Sequence, residues 1–268
     1  MKICILGYSG FLGSHLSNYL SKKFTIKKID LRKLPQKNSD GFDKFLDEIV
    51  YSNIIINCAA SIRPNSANDF FINQDFPHFL QTYIKKKKIN TFLIHISTNN
   101  VLINERKDPY TISKKIAEKK LENEKVVILR LPLLYYEINN VLQPAGNLKK
   151  IFNYLSLRFP YIYPMIYPGH IYEPLEINKL MTFIENLILK KEKSENIYNI
   201  AGNEKKKLWD IFYQIAKHEK KKVLKINVEK IEKLIPNFIK SHINKSQNIF
   251  QQLISIDHTK FNEKKTFL

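Results

Sequence analysis

Short apolar runs alternate along the first half of the chain with amphipathic ones. Ile3-Cys-Ile-Leu6 is uncharged and β-prone, which predicts a strand buried on both faces. Beyond a glycine-rich turn, Phe11, Leu12, His15, Leu16, Tyr19 and Leu20 recur at helical spacing. Thr25-Ile-Lys-Lys-Ile29 predicts a second strand, Phe42, Phe45, Leu46 and Ile49 mark a short helix, and Asn53-Ile-Ile-Ile-Asn57 is a third, buried strand. A helix follows over about residues 73–85, with Phe76, Phe79, Leu80 and Tyr83 on one face. Thr91-Phe-Leu-Ile-His-Ile96 is a strand, a helix starts near Tyr110 after Pro109 and runs through Glu122, and Val126-Val-Ile-Leu-Arg-Leu131 is one more strand. Such alternation predicts an α/β fold with a doubly wound parallel sheet covered on both faces. Right-handed crossovers then gather the carboxyl ends of the strands at one edge.

After Pro132 the pattern loosens. Tyr, Pro and Asn are dense between Tyr135 and Glu173, with Phe152, Leu155 and Phe159 set for a helix. Pro174 suits the first turn of a helix carrying Leu175, Ile177, Leu180, Phe183, Ile184 and Leu187. Ile197-Tyr-Asn-Ile200 is a late strand that returns to the sheet, and 208–218 is an amphipathic helix around Trp209, Phe212 and Ile215. The expected organisation is a Rossmann domain over residues 1–150 and a small α-rich substrate lobe over 151–268.

Composition changes this picture little. The 268 residues suffice for a substantial core. With 44 Lys and Arg against 25 Asp and Glu the net charge is +19, which invites nucleic acid as a partner. The lysines are scattered, however, and their clusters at 85–88, 205–207 and 220–222 flank apolar runs as solvated element ends do. No nucleic-acid groove is expected; the positive field draws anionic ligands such as nucleotides. Cys4 and Cys58 read as reduced core residues, and no apolar run is long enough to span a membrane. A cytoplasmic protein without a metal site is expected.

The chemistry begins at Gly7-Tyr-Ser-Gly-Phe-Leu-Gly13. Between a strand and a helix, glycines let a pyrophosphate approach the backbone, and the first helical turn offers unpaired N–H groups and a favourable dipole. Asp30, 17 residues after Gly13 at the end of the second strand, is placed to bind adenosine ribose hydroxyls. Its carboxylate favours NAD(H) over NADP(H), while Arg32 and Lys33 just beyond it could clasp a 2′-phosphate. Asn57-Cys-Ala-Ala60 is small enough for a ring or a ribose to lie against its backbone. In Tyr110-Thr-Ile-Ser-Lys114 the two outer residues share a helix face. A cation there pulls the phenol down from its usual pKa of about 10. Tyr110 can then exchange a proton with a carbonyl–alcohol pair, while Ser97 or Thr98 bonds the substrate oxygen.

At this point the chain resembles the extended short-chain dehydrogenase/reductase superfamily, in its NAD-dependent epimerase/dehydratase branch. The resemblance rests on the glycine triplet, Asp30, Asn57-Cys-Ala-Ala60, Asn73, His95-Ile-Ser-Thr-Asn-Asn-Val101, Tyr110-x-x-x-Lys114 and Arg130-Leu-Pro132. It covers residues 1–135 well and Ile171–Asn203 more weakly. The resemblance implies that Thr98, Tyr110 and Lys114 are catalytic, with Ser97 supporting Thr98. It implies that Gly7, Ser9, Gly10, Phe11, Leu12, Gly13, Asp30, Arg32, Cys58, Ala59, Ala60, Asn73, Lys114 and Pro132 bind the dinucleotide. Asn99-Asn100 stand where the dehydratases carry an acid pair, and amides are not general acids, so dehydration is disfavoured. The short segment between Asp30 and Asn53 is similar to that of nucleotide-sugar 4-ketoreductases.

The expected activity is therefore reduction of a keto group on a nucleotide-linked sugar, with NAD(H) preferred and NADP(H) as the second cofactor. The alternatives are a nucleotide-sugar epimerase with tightly bound NAD, and a non-catalytic dinucleotide sensor or RNA-binding scaffold. The expected partners are the sugar nucleotide and, in a homodimer, a second copy of the chain. Substrate contacts are expected from Thr98, Asn99 and Tyr110, and from cations of the irregular segment: Lys149 and Arg158 foremost, then Lys150 and His170. Tyr135, Tyr136, Tyr161, Tyr163 and Tyr167 offer rings for a base or sugar.

Overall fold

The computed structural model describes residues 1–35, 39–122, 124–138, 141–144, 149, 153, 157–159, 161–167, 169–190, 196–227, 257–261 and 263–268. Its elements run β1 (Lys2–Leu6), α1 (Phe11–Leu20), β2 (Thr25–Ile29), α2 (Asp40–Val50), β3 (Ile54–Asn57), α3 (Ala67–Phe70), α4 (Phe76–Lys86), β4 (Phe92–Thr98), α5 (Pro109–Leu121) and β5 (Val126–Leu131). There follow β6 (Leu134–Ile138), β7 (Val141–Pro144), β8 (Ile162–Tyr167), β9 (Ile171–Tyr172), β10 (Leu175–Glu176), α6 (Ile177–Lys190), β11 (Ile197–Ala201), β12 (Lys206–Lys207), α7 (Leu208–His218), β13 (Lys222–Asn227) and β14 (Lys265–Phe267).

Two compact units divide these elements. The first comprises Met1–Val101, Pro109–Leu131 and Met181–Ile200. Its strands lie in the order β2-β1-β3-β4-β5-β11, every neighbouring pair parallel. β1, β3 and β5 are mostly apolar, and β4 is apolar up to Ile96 apart from His95, as strands covered on both faces are. Cys4, Leu6 and Ile55 pack with Phe42 and Leu46 of α2 and with Phe76, Leu80 and Ile84 of α4. Each such side chain contributes roughly 1.5–3 kcal/mol of transfer free energy on burial. Cys4 and Cys58 are free thiols. Between β2 and β3 the described residues hold only a 3₁₀ turn (Leu31–Lys33) and α2, the shortened crossover that the sequence indicated.

The register fixes which ends meet. Leu6 pairs with Ile29 and Asn57, Asn57 with His95, and Thr98 with Leu131. The carboxyl ends of β1, β2, β3 and β4 thus share one edge, where Gly7, Asp30, Cys58 and Thr98 fall.

The second unit comprises Leu102–Asp108, Pro132–Leu180 and Ala201–Leu268. β6 and β7 pair antiparallel, β10 lies beside β6, β8 runs parallel to β13, and β9 pairs antiparallel with β12. Its core joins Tyr163 and Met165 of β8 to Trp209, Phe212 and Ile215 of α7. An α-rich reading of this part of the chain leaves out these strands. It also misplaces the start of α6: Leu175 and Glu176 are extended, because the Leu175 amide bonds Leu133 O (2.9 Å) and both residues pair with β6. Pro174 therefore precedes a strand, and the helix begins at Ile177. Phe152 and Leu155 lie outside the described residues, and Phe159 is exposed.

Candidate active site

The glycine turn closes on itself and on the end of β3. Gly7 has φ of +74°, and a Cβ there would lie 2.7 Å from Ala59 Cα; a Cβ on Gly13 would lie 2.3 Å from Gly7 O. Both clashes are with backbone, so neither position accepts a side chain without moving the turn. Gly10 N donates to Gly7 O (3.0 Å) and Cys58 N to Leu6 O (3.1 Å), which sets this small-residue cradle against the sheet. Gly10 caps α1 with no side-chain hydrogen bond, and the first turn of α1 carries no acid. The exposed pole of this helix is left to an anion.

At the end of β2, Asp30 accepts from its own neighbour. Arg32 Nε and Nη2 reach its two carboxylate oxygens at 2.9 and 2.7 Å, and the Arg32 amide bonds Oδ1 at 3.0 Å. These bonds pull the Asp30 carboxyl down to about 2. Charge of both signs is thus presented together at this strand end.

Asn73 sits in a π-turn (Phe71–Asp75) between α3 and α4 and is fully buried. Its amide accepts from Ser61 N (2.8 Å) and donates to Ser61 O (2.8 Å) and Ser113 Oγ (3.1 Å). It ties the loop after β3 to α5.

Thr98 ends β4, and its Oγ1 accepts from Asn100 N (3.3 Å). Asn99 Nδ2 donates to Ile200 O (2.7 Å), while its buried Oδ1 has no hydrogen-bond partner among the described residues. Pro109 opens α5, so Tyr110 stands in the first turn, half-buried, with Lys114 one turn on. Lys114 is 1% exposed. Its Nζ lies 3.2 Å from His95 Nε2, and His95 Nδ1 lies 3.3 Å from Asn57 Nδ2. Burial pulls Lys114 down to about 8, opposed by the nearby Glu118 carboxylate. Burial and the adjacent Lys114 also hold His95 well below its ordinary value.

Ser97 points away from the open edge. Its hydroxyl donates to Glu118, whose other carboxylate oxygen takes Arg130 Nε and Nη2 at 2.9 and 2.7 Å. Arg130 Nη1 continues to Asn199 Oδ1 (3.1 Å), joining β4, α5, β5 and β11.

The structure thus brings the cradle, Asp30, Thr98, Tyr110 and Lys114 to a single sheet edge. It adds His95 and Glu118, which the sequence reading left without a role. Their signals were there: a histidine inside a buried strand needs a polar partner, and Glu118 lies one helical turn from Lys114. In the second unit Lys149 and Arg158 are exposed, and Lys150 lies outside the described residues. His170 is buried against Tyr172 and His258. Of the tyrosines, Tyr163 is buried, Tyr161 is exposed and Tyr167 meets Trp209 edge to face. Among the described residues no His, Cys, Asp and Glu cluster could hold a metal, and no helix is long and apolar enough to cross a membrane.

A doubly wound parallel sheet with a glycine turn leading into its first helix defines a Rossmann-type α/β fold, which binds ligands outside the carboxyl ends of its strands. The same fold is found in the dTDP-4-dehydrorhamnose reductase of Clostridium acetobutylicum ATCC 824, to which the chain is similar at 21% identity (85% of this chain, 84% of that chain, TM-score 0.66). It is similar to the dTDP-4-dehydrorhamnose reductase of Bacillus anthracis str. Ames, solved with NADP, at 21% identity (86% and 85%, TM-score 0.66). A third similar structure is the UDP-glucuronic acid 4-epimerase of Bacillus cereus with NAD, at 20% identity (85% and 85%, TM-score 0.60). At these identities the likeness is one of fold, and it is the fold that the sequence resemblance implied. No protein-family model and no curated protein sequence matches the chain.

Proposed function

We propose that the protein is an NAD(P)-dependent oxidoreductase that reduces a keto group on a nucleotide-linked sugar. The observation that carries this reading is Lys114: a buried amine pulled to about 8, one turn from Tyr110, at the edge that holds the glycine cradle. The residues present fit a nicotinamide dinucleotide, since Gly7 and Gly13 leave no room for side chains and the α1 terminus lacks both a side-chain cap and an acid. When bound, the dinucleotide supplies the hydride.

The chain supplies everything else. Gly7, Ser9, Gly10, Phe11, Leu12 and Gly13 would hold the pyrophosphate, and Asp30 with Arg32 the adenosine ribose. Cys58, Ala59 and Ala60 give a flat backbone wall, Lys114 binds the second ribose, and the backbone beside Pro132 takes the carboxamide. Asn73 acts at one remove, by bracing the Ser61 loop against α5. Because Thr98 Oγ1 already accepts from Asn100 N, its O–H is free to donate to the substrate oxygen. Tyr110 gives that oxygen its proton and is left as a phenolate, which the charged form of Lys114 favours. Asn99 Oδ1 is a ready acceptor for a sugar hydroxyl. The exposed Lys149 and Arg158 are the proposed cations for the diphosphate, and a homodimer remains part of the proposal. NAD(H) stands ahead of NADP(H) because Asp30 opposes a 2′-phosphate; the Arg32 guanidinium moderates that opposition.

The test is reduction of a panel of nucleotide-linked 4-keto sugars, followed by loss of dinucleotide absorbance. Tyr110→Phe should lower kcat by about 10²–10⁴-fold while leaving dinucleotide affinity within a few-fold. Turnover unaffected by this change overturns the reading in favour of a non-catalytic role for the pair. Interconversion of sugar nucleotides with no added dinucleotide marks an epimerase instead.

A further inference from the structure

Among the described residues, the polar partner of the Lys114 amine is the His95 imidazole, and donor counting fixes the direction of that bond. The Ala59 amide donates to Asn57 Oδ1 (3.1 Å), so Asn57 turns its Nδ2, which can only donate, toward His95 Nδ1 (3.3 Å). Nδ1 must therefore accept. A neutral imidazole has one N–H, which then sits on Nε2 and faces Lys114 Nζ at 3.2 Å. An ammonium has three donors and no lone pair, so Lys114 completes this bond only as the free amine. Reversing the chain would turn the Asn57 NH₂ against the Ala59 N–H and strip that amide of its acceptor.

We propose that His95, locked by Asn57 in the Nε2–H tautomer, is a positioning residue that makes Lys114 a titrating amine rather than a permanent cation. The groups facing Lys114 agree with this. His95 approaches from β4, Cys58 from the turn after β3, and Tyr110 and Glu118 from its own helix. His95 is held neutral by burial, and the Cys58 thiol is pushed up to about 12 by desolvation, so neither carries charge near pH 8. The Glu118 carboxylate is engaged by Arg130 and Ser97. The consequence for the reaction, which rests on the Tyr110–Lys114 reading above, is a switchable acid. Lys114 as an ammonium favours the Tyr110 phenolate, and Lys114 as an amine does not.

Two NMR measurements on the protein without dinucleotide or substrate test the proposal. In the unaltered chain, ¹⁵N shifts of His95 should show Nδ1 bare and Nε2 protonated; a proton on Nδ1 overturns the proposal, whatever any variant does. With ¹³Cε-labelled lysine, assigned by Lys114→Arg, the Lys114 midpoint should fall near 8. His95→Gln turns its carbonyl to Asn57 Nδ2 and keeps an N–H toward Lys114, so it should hold that midpoint near 8. His95→Glu gives Lys114 an acceptor and should move the midpoint up by at least one unit toward 10.5. A parent midpoint at 10 or above, or no upward shift in a folded His95→Glu variant, also overturns it. If that variant does not fold, the tautomer decides alone. None of these readouts needs turnover, so the proposal can fail while Tyr110-dependent reduction stands, or hold when no sugar nucleotide is reduced.

Discussion

Two cations of the first unit, the buried Lys114 and the part-buried Arg130, are treated in opposite ways. Arg130 is given one carboxylate oxygen of Glu118, which takes both Nε and Nη2, and a second acceptor, Asn199 Oδ1. Lys114, one turn before Glu118 on α5, is given an imidazole that offers it a donor. A guanidinium held by a carboxylate and an amide is fixed in charge and serves to hold elements in register. A buried amine without a carboxylate partner bears the desolvation cost, and its proton is correspondingly loose. The difference separates a brace from a reagent within one network.

Replacing Lys114 should cut function hard and leave the fold alone. In Lys114→Met, turnover should fall by at least about 10²-fold, while stability to denaturant should equal or exceed that of the parent, because an uncompensated buried charge is gone. The comparison also has a pH signature. The folded-state pKa of Lys114, about 8, is depressed below its ordinary 10.5. Between those values the unfolded chain binds more protons, so parent stability rises with pH across that window. The penalty is fully present below pH 8 and gone above 10.5, so the advantage of Lys114→Met should shrink by about 3 kcal/mol over that range. A constant difference across pH would show that Lys114 is an ordinary cation.

Glu118→Gln should do the reverse. It leaves the part-buried Arg130 guanidinium without its carboxylate, at a cost of about 1–3 kcal/mol in urea unfolding. In whatever fraction stays folded, removing the upward pull of Glu118 should lower the Lys114 midpoint further. Stability unchanged in this variant would erase the distinction between the two cations.

The smallest effect is expected at the exposed counterpart, Asp30–Arg32. Arg32→Ala should leave thermal stability unchanged within error, since solvent-exposed pairs contribute little. It should weaken NADP(H) binding about tenfold more than NAD(H) binding, as calorimetry with both dinucleotides would show. Equal losses for the two would place Arg32 outside the ribose subsite.

What could be read from the chain beforehand follows the range of the interactions. The glycine turn, the Tyr110–Lys114 spacing and the limits of β5 and α7 are local patterns with local causes, and they stand where the periodicity put them. Leu175 looked helical because its neighbours have helical spacing. Only pairing with Leu134, forty-one positions away (175 − 134), makes it a strand residue. The strands between Leu134 and Tyr167 were hidden for the same reason, since tyrosine and proline give no periodic signal until a partner strand is known. Asn73 was read as a dinucleotide contact from the motif around it, and its three internal hydrogen bonds appear only once Ser61 and Ser113 are brought together.

The bonds from Arg130 to Asn199 and from Asn99 to Ile200 also set a timetable for biosynthesis. They span 69 and 101 positions. Residues 132–180, which belong to the other unit, must leave the ribosome before β11 can supply either partner. At about 5–20 residues per second, the 69 positions from Arg130 to Asn199 take roughly 3–14 s. Throughout that interval, a nascent chain holding the whole Tyr110-to-Lys114 stretch has Arg130 without its Asn199 acceptor and Asn99 without the carbonyl that fixes it. The strand end that carries Thr98 and Asn99 is thus made early but fixed late, once β11 has joined the sheet beside β5.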